Sequence, residues 1–197
     1  MSLQTSILNA AMSLPEGGLL TPKEFLHLGS RAAVDQAFSR LVKSGKLLRI
    51  GRGLYTRPEQ GRFGKRAPSM EKVLEFMSRT SGETIVPHGA ATANCLGLST
   101  QVPIQEVFLT SGPTRALTLG KRKITLKHAA RWLLLLGDTP GGQVIRALAW
   151  LGEHQAGYAL EQLRLQGNQA YLQELAHVRS QLPSWMAGMI SQEIQYA

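Results

Sequence analysis

In the N-terminal part of the chain, apolar residues recur at helical spacing. Leu3, Ile7, Leu8, Ala11 and Leu14 share one helical face, which Pro15-Glu16-Gly17-Gly18 then interrupts. Thr21-Pro22-Lys23-Glu24 supplies a cap, a proline at the first helical position and a glutamate able to reach back to the cap amide, so a second helix starts there. Gly29 keeps it short. Ser30 caps a third helix, in which Val34, Ala37, Phe38, Leu41 and Val42 form a single buried stripe. Gly45 ends this helix in the left-handed conformation that a side chain would disfavour. The pattern then changes to two short strands, Lys46–Ile50 and Leu54–Arg57, around Gly51-Arg52-Gly53. Three helices followed by a hairpin is the order of a winged helix-turn-helix.

Beyond Pro58 the stretch Gln60–Ser69, rich in Gly, Arg and Lys, reads as a linker too polar to build a core. A helix over Ser69–Arg79 follows, using Val73, Leu74, Phe76 and Met77. Glu83–Val86 reads as a strand, and the small residues of Gly89–Cys95 suit a helix packed closely on a neighbour. Gln105–Leu109, Ala116–Leu119 and Lys123–Leu126 read as strands, with turns at Ser111-Gly112-Pro113 and Gly120. From Val144 onward the pattern is helical, with breaks expected near Gly152, Gly157, Gly167 and Pro183. The expected fold is α+β: a winged helix over residues 1–66, then a mixed α/β domain over residues 67–197 with a helical C-terminal part.

Composition narrows the class of protein. The chain has 197 residues, of which 43% are hydrophobic and 18% charged, a globular balance. Apolar runs such as Trp132–Leu136 fall far short of a membrane span, and no basic segment followed by an apolar one opens the chain, so a soluble cytoplasmic protein is expected. Cys95 is the sole cysteine, which fits a reducing compartment.

Net charge is +9, and its distribution is uneven. Between Arg40 and Arg66 there are nine basic residues against one acid, Glu59. Between Arg115 and Arg131 there are six and no acid, whereas Trp132 to the end holds five acids and three bases. Zoned positive charge of this kind fits contact with a polyanion.

With its apolar stripe buried, the third helix presents Arg31, Ala32, Gln36, Ser39, Arg40 and Lys43 outward. Arg31 and Gln36 suit base edges in the major groove, because Arg can pair with guanine and Gln with adenine through two hydrogen bonds each. Ser30, Ser39, Arg40 and Lys43 suit phosphates. On the wing, Arg49, Arg52 and Arg57 flank glycines that allow close approach to the DNA backbone or entry into the minor groove, and Tyr55 either supports the hairpin or touches the sugar-phosphate chain. The bland alternative is a solvated charged face on helix and hairpin. Arg115, Lys121, Arg122, Lys123, Lys127 and Arg131 form either a second nucleic-acid surface or the charged edge of a strand pair. His88, at a strand-to-helix junction, is expected to cap or pack.

Gly51–Pro58 (GRGLYTRP) together with Val86–Pro103 (VPHGAATANCLGLSTQVP) resembles the AbiEi-type antitoxins of bacterial type IV toxin–antitoxin, or abortive-infection, systems and related transcriptional regulators. The resemblance runs from Leu19 to about His128. It implies a winged helix that represses its own operon and a remainder that counteracts a nucleotidyltransferase-like toxin encoded next door without a stable complex. No cofactor or metal is implied.

Catalytic constellations are missing from the sequence. It has no metal-binding Cys/His spacing, no H-E-x-x-H, no G-x-S-x-G and no phosphate-binding loop, since Gly137–Gly142 lacks the lysine; aspartate occurs only at Asp35 and Asp138. The expectation is a sequence-specific repressor and antitoxin rather than an enzyme, monomeric in solution and cooperative on inverted half-sites. The alternatives are an interaction module without DNA specificity and an RNA-processing enzyme. Trp150, Leu160, Leu163, Tyr171 and Leu172 belong either to the core of their own domain or to a dimer surface.

Overall fold

The computed structural model describes residues 2–62, 64–167 and 170–196, and the fold is α+β. The elements are α1 (Leu3–Ser13), a 3₁₀ turn (Pro22–Leu28), α2 (Arg31–Lys43), β1 (Leu48–Gly51), β2 (Leu54–Thr56), β3 (Glu59–Gly61), β4 (Gly64–Arg66) and α3 (Met70–Ser81). Then come β5 (Ile85–Pro87), α4 (Gly89–Cys95), β6 (Glu106–Thr110), β7 (Arg115–Leu119) and β8 (Arg122–His128). The chain ends with α5 (Pro140–Leu151), α6 (Glu153–Leu165), α7 (Ala170–Val178) and α8 (Ser184–Tyr196). Among the described residues no helix is long and apolar enough to cross a membrane.

The chain forms two compact units, Met1–Glu83 with Ala116–Ile124, and Thr84–Arg115 with Thr125–Ala197. This division differs from a boundary at residue 66 in two respects. Helix α3 belongs with the first unit, and so does the far end of the β7–β8 hairpin. A hairpin whose residues are shared between two units has no signature in local periodicity, because each strand alternates in the same way whichever unit it groups with.

In the first unit the helix starts follow their caps. Ser30 Oγ accepts from Ala33 N at 3.3 Å, and Glu24 Oε1 accepts from Thr21 N at 3.0 Å. The Pro22–Leu28 segment is a 3₁₀ turn rather than an α-helix. Gly45, just past α2, has φ 64°, as the sequence requires. The core gathers Ile7 and Ala11 of α1, Phe25, the buried stripe Val34, Ala37, Phe38 and Leu41 of α2, and Leu47.

The stretch Gln60–Ser69 is not a linker. Strands β3 and β4 pair antiparallel (Glu59↔Arg66, Gln60↔Lys65, Gly61↔Gly64), and the hairpin is tied down through its second strand and the residues after it. Arg66 Nη1 donates to Glu16 Oε1 at 3.0 Å, Ser69 N donates to the same oxygen at 3.2 Å, and Lys65 Nζ donates to the Gly45 carbonyl at 3.4 Å. Hydrogen bonds and charge pairing hold this segment, and an apolar-pattern reading passes over them.

In the second unit β5 pairs antiparallel with β6, within the strand order β5-β6-β8-β7. A helical core collects Val144, Ile145 and Leu148 of α5, Leu160 and Leu163 of α6, Tyr171, Leu172 and Leu175 of α7, and Met186 and Ile190 of α8. Leu160, Leu163, Tyr171 and Leu172 are therefore core, while Trp150 is half-buried. Gly152 and Gly167 break the helices as expected, and Pro183 directly precedes α8; Gly157 instead lies within α6. Gly89 fulfils the small-residue expectation for α4: a Cβ there would lie 2.7 Å from Trp150 Cβ and collide with the Arg146 carbonyl of α5.

Candidate nucleic-acid interface

The interface is built on α2 and the β1–β2 hairpin, and aromatic packing fixes one to the other. Phe38, on the buried face of α2, contacts the Tyr55 ring with centroids 4.5 Å apart and the Phe25 ring with centroids 5.7 Å apart in an edge-on arrangement. The Tyr55 backbone in turn bridges Leu20, with Leu20 N donating to the Tyr55 carbonyl at 2.8 Å and Tyr55 N to the Leu20 carbonyl at 3.0 Å. Thr56 Oγ1, fully buried, donates to the Gly18 carbonyl at 2.8 Å. The hairpin is thus a three-point extension of the helical core rather than a free arm. Of the two roles open to Tyr55, the packing supplies the supporting one.

Outward from this core, the opposite face of α2 is exposed at Arg31, Ala32, Gln36, Ser39, Arg40 and Lys43. Arg31 is not isolated there: its Nε donates to Asp35 Oδ2 at 2.9 Å, with both side chains about half exposed or more (61% and 49%). An exposed pair one helical turn apart is worth little, roughly 0.3–0.5 kcal/mol, so Arg31 can exchange Asp35 for a base edge at small cost. Ser30 is occupied as the cap of α2, with its hydroxyl facing the first turn.

On the wing Arg49 and Arg52 are exposed, and a register irregularity between Arg49 and Gly51 marks the strand end. Arg57 differs. It is half-buried, with Nη2 at 3.4 Å from Glu59 Oε1, so it is engaged inside the protein. The second hairpin adds exposed Arg62 and Lys65 beyond the residues singled out from the sequence. Residues 59–66 show no apolar/polar alternation, so the sequence carries no signal for these paired strands. Glu16, which pairs with Arg66 of this hairpin, is held below the ordinary carboxylate range by the hydrogen bond from Arg66 and then by that from Ser69 N.

The residues of the expected second basic surface are divided between the two units. Lys121, Arg122 and Lys123 sit with the first unit, where Arg122 Nη1 donates to Glu71 Oε1 at 2.7 Å. Arg115, Lys127 and Arg131 belong to the second unit, and Arg115 Nη1 donates to the Pro113 carbonyl at 3.1 Å.

In the stretch Val86–Pro103 several residues have structural roles. His88 caps α4, its Nδ1 accepting from Ala90 N at 3.2 Å, and burial followed by the charge of Lys127 keeps its imidazole below the usual value. Leu96 and Leu98 pack on the helical core, and Asn94 Nδ2 donates to the Ser99 carbonyl at 3.1 Å. Gly137–Gly142 is occupied from within, since Glu174 Oε2 accepts from Gly141 N at 2.7 Å and from Thr139 Oγ1 at 2.6 Å. Arg146 went unnoticed in the sequence. It is 1% exposed, donates to the Gly137 carbonyl at 2.7 Å and to Asp138 at 3.2 Å, and burial lowers its pKa to about 10. Among the described residues no group of three or more metal-ligating side chains is gathered.

Residues 6–167 match the model of a family of unknown function, DUF6088, and the chain belongs to that family. No curated protein and no solved structure matches it.

Proposed function

We propose that the protein is a sequence-specific, DNA-binding transcriptional repressor of the cytoplasm that acts by binding rather than catalysis, and that it serves as the antitoxin of a type IV toxin–antitoxin system. The observation that carries the DNA reading is the exposed basic face of α2 joined through Phe38 and Tyr55 to a wing bearing exposed Arg49 and Arg52. A helix of this exposure fits the major groove, and a wing at fixed geometry beside it contacts the flanking backbone. The antitoxin part rests on the resemblance of Gly51–Pro58 and Val86–Pro103 to the AbiEi-type proteins, and the counterpart is a nucleotidyltransferase-like toxin met without a stable complex. The helices α5–α8 turn their apolar residues into their own core, which supports a monomer that pairs only on its operator. One winged helix reads too few base pairs to single out a promoter, so two half-sites in inverted orientation are needed.

The test is binding of the intact chain to the DNA upstream of its own gene across a salt series. Arg49→Ala with Arg52→Ala should weaken binding to all sequences alike and lower the salt dependence by about two phosphate contacts, roughly 0.9 each on a log–log plot. The same variant should still protect cells co-expressing the toxin. Unchanged affinity in the double variant overturns the docking, and lost protection in a folded variant overturns the division of labour. Inserting about 5 bp between the half-sites should abolish cooperativity, because it moves the second site to the opposite face of the duplex.

A further inference from the structure

We propose that the second unit holds a binding site for a small phosphomonoester, in the cavity bordered by His88, Lys127, His128 and Trp150. The cavity measures about 280 Å³ and is also lined by Leu133 and Arg146. Its charge is one-sided. The ionisable residues that line it are all bases, and no carboxylate lines it among the described residues. Arg146 lies behind, 1% exposed; its Nη1 and Nη2 are engaged with Gly137 and Asp138, but its buried Nε has no hydrogen-bond partner among the described residues. A cavity lined by bases and by no carboxylate attracts an anion.

The two imidazoles are each committed to the backbone through one nitrogen. Ala90 N donates to His88 Nδ1, so the neutral ring carries its proton on Nε2. Burial and the charge of Lys127 favour that neutral form, which leaves Nε2–H as a donor. His128 Nδ1 lies 2.9 Å from the Gly112 carbonyl, which can only accept, so Nδ1 carries the proton and Nε2 is left as an acceptor. Lys127 is exposed and brings a full charge with three donors.

A phosphomonoester fits this set better than a carboxylate. It carries about −1.5 to −2 charge near neutral pH and three acceptor oxygens, matching the Lys127 ammonium and the His88 Nε2–H, and the P–OH of its singly ionised form can donate to His128 Nε2. Trp150 and Leu133 offer an apolar wall for the body that carries the phosphate. The volume lies at the lower end of the range for small-molecule sites, roughly 300–1,000 Å³, which limits the body to about one ring system. Such a site would let the protein sense a metabolite, a role beyond DNA binding.

The experiment is calorimetric titration of the intact chain, without duplex DNA, with inorganic phosphate, 5′-AMP and adenosine. Failure here leaves the DNA reading standing, and failure of the operator-binding test leaves this one standing. The expected order of affinity is 5′-AMP, then phosphate, with adenosine at least about tenfold weaker than 5′-AMP. Lys127→Ala should weaken 5′-AMP binding about tenfold and His128→Gln several-fold, while Lys121→Ala leaves it unchanged. The proposal is overturned by absence of saturable 5′-AMP binding up to about 10 mM, by equal binding of adenosine, or by equal losses in Lys121→Ala and Lys127→Ala. Binding of a 5′-phosphorylated trinucleotide without 5′-AMP would assign the site to a strand end and overturn the small-ligand assignment.

Discussion

In the first unit Arg31, Arg40, Arg49 and Arg52 reach solvent from a helix and a hairpin sealed underneath by Phe38, Tyr55 and Leu41, whereas in the second unit Arg146 is enclosed within α5 and bound to a backbone carbonyl and Asp138. All five count equally in a tally of charge, yet they answer to different physics. An exposed guanidinium keeps its hydration and contributes little to folding, so a surface dense in such groups is not explained by stability. A buried one has surrendered its water, and its pKa near 10 records that loss. It is held only by the bonds that replace the water, and removing it strands the groups it satisfied.

The sharpest way to break this comparison is to truncate the buried member. Arg146→Ala should destabilise the protein by about 3 kcal/mol or more, from a cavity in α5 and an unsatisfied Gly137 carbonyl. Chemical denaturation measures it, and a loss under about 1 kcal/mol would mean that Arg146 is not structural. Next in size are the residues that the proposed docking turns toward the groove. Arg31→Ala or Gln36→Ala should relax base preference by about 1–3 kcal/mol at one position of the operator while leaving the melting curve in place. Competition binding with single-base operator variants reads this directly, and an equal loss on every sequence would reassign both residues to phosphates.

Smaller still are the stability effects of the exposed bases. Arg40→Ala and Lys43→Ala should each change folding stability by no more than about 0.5 kcal/mol, the usual range for surface positions. A larger loss in denaturant melts would place them in the fold rather than on an interface. The smallest effect concerns the acid that anchors β3–β4. Because the folded Glu16 carboxyl lies below its ordinary value of 4.5, its contribution is present above that pH and is lost as pH falls through the lowered folded value. The stability gap between wild type and Glu16→Gln should therefore narrow on acidification. A gap that stayed constant with pH would show that Arg66 and Ser69 do not favour the ionised form.

Ser30, Gly45 and the stripe from Val34 to Leu41 made α2 legible in advance, since caps and period act within a few residues. The wing was legible for the same reason, as was the packing of α4, where small residues at Gly89–Cys95 foretold a close neighbour without naming it. The β3–β4 hairpin was not, because its position depends on Glu16, which lies fifty residues before Arg66 in the chain. Arg146 was hidden by its neighbours: amid Val144, Ile145, Ala147 and Leu148 it reads as one polar interruption in an apolar helix.

The sequence by itself determined the α+β class, the order of helices and strands, the basic zoning and the outward face of α2. Each of these follows from side-chain period, capping or composition, which are local properties. Only the tertiary structure decided which bases remain exposed and which are engaged, that Tyr55 supports the wing, that Ala116–Ile124 joins the first unit, and that His88, Lys127 and His128 border one cavity. These depend on groups distant in the chain meeting in space, where burial and hydrogen-bond partners fix the chemistry of a residue whose type alone leaves it open.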